Sequence, residues 1–146
     1  MLNGAKLICP VALALGISGG LGAQTSSVAG PPMQVSADIA VLLLETMAAD
    51  LRNLVVAQEQ HFADNNRYGR TLSTTDRRQV YIVPSPGVTL TLTYVTMNSW
   101  AGRANHEWLR WSCVITVGDV PPSRIPRTAA NGQAPKEEGH PICDDR

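Results

Sequence analysis

Between residues 37 and 68 the chain has no proline or glycine, and its apolar positions recur at helical spacing. Leu43, Leu44, Met47, Leu51, Leu54, Val55, Gln58 and Phe62 fall within a stripe about 120° wide at roughly 100° per residue. Glu45, Arg52, Asn53, Glu59, Gln60 and Asp64 lie off the stripe, and Val56 is the one apolar residue among them. With Ser36 as N-cap and Asn65-Asn66 able to take turn geometry, the spacing predicts one long amphipathic helix over 37–64. Its first turns differ from the rest. Residues 39–44 (IAVLLL) are apolar all round, with Ile39, Val41 and Leu42 pointing away from the stripe. A surface helix that is apolar on every side needs a cover or a partner.

The period then changes from helical to alternating. Over 88–95, Val88, Leu90, Leu92 and Tyr94 alternate with Thr89, Thr91 and Thr93, the pattern of a strand with one buried face. A weaker strand is expected over 100–106. A third, over 108–117, would put Leu109, Trp111, Cys113, Ile115 and Val117 inward. Residues 71–79 read as an irregular connection. From Gly118 onward, five prolines and three glycines argue against regular structure over most of the segment. The expected fold class is α+β, a long helix packed on a three- to four-stranded antiparallel sheet with a disulfide-closed C-terminal loop.

Residues 1–23 follow the order of a secretory signal: Lys6, an apolar run from Leu7 to about Ile17, then small residues up to Ala23. The run is shorter than the roughly 20 residues a bilayer span requires. Cleavage after Ala23 leaves a linker over 24–35, containing Pro31-Pro32, and a domain over 36–146. The expected location is therefore extracellular or periplasmic, with no stable membrane span after cleavage. Of the three cysteines, Cys9 leaves with the signal, and Cys113 and Cys143 remain to pair in an oxidising compartment. Formal net charge is zero and the arginines are scattered along the chain, which gives no clustered basic excess for nucleic acid.

The search for reactive chemistry finds little. His61, His106 and His140 are the only histidines, and none stands four residues from another. After residue 23 there is no Gly-x-Ser-x-Gly elbow and no glycine-rich phosphate loop, so neither an enzyme nor a cofactor is expected. His140 beside Cys143 lacks a partner set for zinc. Asp119, Asp144 and Asp145 could meet calcium but follow no spaced loop signature, and a solvated terminus is the plainer reading. Trp100 and Trp108 could form an exposed aromatic platform for a glycan or a protein. These two, with Ile39, Val41 and Leu42, are the candidate partner surface.

Three phrases occur in an order that resembles type IV pilins and pseudopilins. They are the helix end running from Ala49-Asp50-Leu51 to Asn66-Arg67-Tyr68, the strand Ser99-Trp100-Ala101-Gly102-Arg103-Ala104-Asn105-His106, and Trp111-Ser112-Cys113 closing at Cys143-Asp144. The resemblance covers residues 48–144. It implies a head domain of helix, antiparallel sheet and disulfide-bounded C-terminal region, acting as a structural or interaction module with other protein subunits, itself included. The prepilin-peptidase site and the long apolar helix of that family are absent, and an export signal with a Pro-Pro linker stands where they would be. A stand-alone ligand- or glycan-binding module is the alternative expectation.

Overall fold

The computed structural model describes residues 35–145. The signal peptide and all but the last residue of the linker lie outside them. The α1 helix spans Ala37–Asn65. The Ser36 hydroxyl accepts from the Ile39 N–H at 3.5 Å, one of the amides that a helix start leaves unpaired. Asn66 ends the helix in the left-handed region at φ 53°, and its N–H closes on the Phe62 carbonyl. One face of α1 buries Met47, Leu51, Leu54 and Gln58 as the spacing requires, joined by half-buried Leu44 and Val55.

Short strands β1 (Leu72–Ser73) and β2 (Val80–Tyr81) form a two-stranded parallel pair, where the sequence suggests only an irregular connection. The main sheet comprises β3 (Val88–Val95), β4 (Trp100–His106), β5 (Ser112–Val117) and β6 (Ile142–Cys143) in the order β3-β4-β5-β6, antiparallel throughout. In β3 the alternation holds, with Thr89, Thr91 and Thr93 facing solvent and a register shift between Leu92 and Tyr94.

β4, expected to be the weaker strand, is interior and buried on both faces. Its small residues explain both facts. Ala101, Gly102 and Ala104 lower strand propensity, yet they let other layers approach. A Cβ at Gly102 would sit 3.3 Å from the Trp100 ring and 3.6 Å from Leu54 of α1. The helix covers one face of the sheet, through Trp100, Ala104, Cys113, Ile115 and Val117. Ala101, Ser112 and Val114 are buried too. On this second face the Arg103 guanidinium donates to the Arg127 carbonyl at 2.7 Å, and the Ala129 N–H to the Ser112 hydroxyl at 2.8 Å. The C-terminal segment therefore forms a third layer, with Val120, Pro126 and Thr128 buried in it.

Cys113 and Cys143 stand opposite each other in the β5–β6 register and form a disulfide. The segment they enclose contains one 3-10 turn at Pro122–Arg124. A second tie comes from Asp144, which is buried with its carboxylate accepting from three backbone amides. Ser112 N–H lies 2.8 Å away, Asn131 N–H 2.7 Å and Ala130 N–H 3.1 Å. The Asp144 N–H in turn donates to the Ser112 carbonyl at 2.9 Å, so this carboxylate takes the place of a strand partner.

Candidate functional site

Three surface regions result from this arrangement. The first is the start of α1. Leu44 is the first helix side chain packed against the core, and its carbonyl lies 3.6 Å and 3.7 Å from the two disulfide sulfurs. N-terminal to it, Ala40 is buried, whereas Ile39, Val41 and Leu42 are 47%, 39% and 60% exposed. Three large apolar side chains within four residues form a local patch, unlike a single exposed Val or Leu. Among the described residues no helix is long and apolar enough to cross a membrane.

The second region contains the tryptophans, and here the structure corrects the sequence reading. Trp100 is fully buried and cannot share an exposed platform with Trp108. It is covered by Tyr68 in an edge contact at 6.4 Å, and Tyr68 packs on Phe62 at 5.0 Å, which links the helix end to the start of β4. Trp108 is 52% exposed on the turn between β4 and β5, with its ring at 5.4 Å from buried His106. Trp111 is half-buried rather than core, because β5 begins only at Ser112. His106 also accepts the Trp108 N–H at 3.2 Å, so the histidine holds the turn. Among the described residues no three His, Cys, Asp or Glu side chains are grouped to hold a metal ion. Asp144, considered for calcium, is instead occupied by backbone amides.

The third region is not apparent from sequence. Gln58, fully buried on α1, grips the Gly69 peptide from both sides: the Gly69 N–H donates to Oε1 at 2.8 Å and Nε2 donates to the Gly69 carbonyl at 3.0 Å. Only glycine fits there, since a Cβ would lie 2.2 Å from Val80 and 3.2 Å from the His61 ring. The Tyr68 N–H bonds the Met97 carbonyl at 3.0 Å, and the Val80 N–H bonds the Thr71 carbonyl at 3.1 Å. These bonds fix the loop after α1 and create the β1–β2 pair. They also open a cleft of about 570 Å³ lined by His61, Arg67, Arg70, Thr71, Arg78 and Thr96, among others. His61 Nδ1 lies 3.0 Å from the Arg67 carbonyl, which can only accept, so that nitrogen carries the proton. Beside the cleft, the Tyr68 hydroxyl donates to Glu59 at 2.7 Å. Burial first, then that bond and the charges of Glu59 and Glu138, push the phenol up to about 12.

Replacing Gln58 with leucine strands both polar groups of the Gly69 peptide in a dry site. The expected loss is about 2 kcal/mol, read as a lower urea midpoint at unchanged slope. An unchanged midpoint would mean that the peptide finds other partners. The arginines read as scattered along the chain are thus partly gathered, with three of them around one cleft.

No protein-family model matches the chain, and neither a curated protein nor a solved structure matches it.

Proposed function

We propose that this chain is an exported, non-enzymatic structural or interaction domain of pilin-like design that meets other protein subunits, a second copy of itself first, through the start of α1. The observation that carries the reading is the exposure of Ile39, Val41 and Leu42 on a helix whose later turns are packed on the sheet. Full burial of such a side chain is worth about 1.5–3 kcal/mol, so three together supply a useful part of an interface. The order of long helix, antiparallel sheet and disulfide-closed C-terminal segment is the order that the resemblance to pilin heads implies, and it supports the same reading.

Light scattering after size exclusion tests it by comparing the exported protein with an Ile39→Glu/Leu42→Glu variant. Both positions are exposed, and acidic side chains near a helix N-terminus favour the helix, so the variant keeps its fold. The expected result is a concentration-dependent oligomer for the parent and a monomer for the variant. A monomer in both removes this patch as a self-association surface.

A further inference from the structure

Residues 66–83 contain Arg67, Arg70, Arg77 and Arg78 against a single acid, Asp76, in a chain whose formal net charge is zero. Asp76 is committed to Arg78, at 3.2 Å, and Arg77 lies over the Tyr81 ring at 4.7 Å. Among the described residues, neither the Arg67 nor the Arg70 side chain has a hydrogen-bond or ion-pair partner. Both line the cleft, on either side of Gly69.

Neither guanidinium group is neutralised by a partner, and the loop that carries them is pinned at four backbone groups. Gln58 holds the N–H and carbonyl of Gly69, Met97 holds Tyr68, and Val80 holds Thr71. A rigid frame keeps the entropy of positioning out of the binding step. The cleft volume is within the range of small-ligand sites, and guanidinium forks match the paired oxygens of phosphate and carboxylate groups. The hydroxyls of Thr71 and Thr96 add neutral hydrogen-bonding groups to the same lining.

We infer that this cleft is a binding site for a dianionic oxyanion group, a phosphate or a pair of carboxylates, held by Arg67 and Arg70. The site is separate from the start of α1, and its test is independent of the oligomeric state.

Amide chemical shifts of the full chain with its disulfide intact are followed while inorganic phosphate or malonate is added. Sodium chloride at matched ionic strength is the control. The expected result is saturable shifts concentrated at residues 67–71 with at least one of the two anions, weakened at least tenfold in Arg67→Gln/Arg70→Gln. Arg124→Gln, which is outside the cleft, leaves them unchanged. Saturation by phosphate alone identifies a phosphate-bearing ligand, by malonate alone a dicarboxylate, and by both a site that reads charge and spacing. The inference is overturned if neither anion saturates, if chloride gives the same shifts, or if the double variant retains the parent affinity. Thermal melts of the variants confirm that the frame is folded in each case.

Discussion

Asp144→Ala is expected to destabilise the oxidised protein by about 3 kcal/mol, a fall in melting temperature of roughly 10–15 °C by calorimetry. The substitution removes the shared acceptor of Ser112, Ala130 and Asn131 and leaves three backbone N–H groups without their partner on the covered face of the sheet. A change of a degree or two would mean that water or a relaxed loop replaces the carboxylate. The effect should also depend on pH in a definite sense. Burial pushes the Asp144 pKa up, but the Thr128 hydroxyl and the amides of Ser112, Asn131 and Ala130 outweigh it and hold the group below its ordinary value. A carboxylate with a depressed folded pKa contributes fully above the unfolded value of about 3.9, and the contribution disappears as pH falls through the folded value. The gap between parent and variant should therefore be constant near neutrality and narrow in acid below about pH 4. A gap that widens in acid would contradict this assignment.

The second large effect is expected from the disulfide. Cys113 and Cys143 close a loop of 30 residues. Chain-entropy arguments assign such a loop about 3–4 kcal/mol, so Cys113→Ser/Cys143→Ser should shift the urea midpoint by a large part of the net stability. Combining this variant with Asp144→Ala tests more than either alone. Both ties hold the same segment against the same face, so once one is lost the second has less ordered structure to support. The combined loss should fall short of the sum by at least about 1 kcal/mol. Full additivity would mean that the disulfide and the carboxylate hold separately folding pieces.

The parts of the fold that depend on local pattern were legible in the sequence. The helix was expected over 37–64 and runs over Ala37–Asn65 with Ser36 as its cap, and the strand over 88–95 has the bounds of β3. The third strand was expected from residue 108 but starts at Ser112, because the Leu109 N–H turns back to the His106 carbonyl at 3.0 Å. What could not be read depends on distant partners. The β1–β2 pair is two residues long on each side and follows a loop held by a glutamine from α1, so no periodicity reveals it. Trp100 reads as exposed beside its turn, since nothing local indicates that Tyr68 will cover it. Asp144 reads as a terminal acid because its donors come from residues 112, 130 and 131, brought near only when the segment folds back. The cleft has the same origin: its arginines are spread over 67–78 and line one cleft once the loop is fastened to Gln58, Met97 and Val80.

The third layer also sets an order of events during synthesis. Helix α1 and strands β3 to β5 are complete by Val117, but the groups that fasten the covering segment, Cys143 and Asp144, come last. Until those residues emerge, Ala101 and Val114 lack their cover, and Cys113 is a free thiol beneath the helix. A chain that crosses a membrane N-terminus first would present that uncovered face to its surroundings throughout translocation. Oxidation of Cys113 with Cys143 then becomes the step that ends this exposure, and the delay between the two cysteines is the period in which the domain is open to wrong pairing.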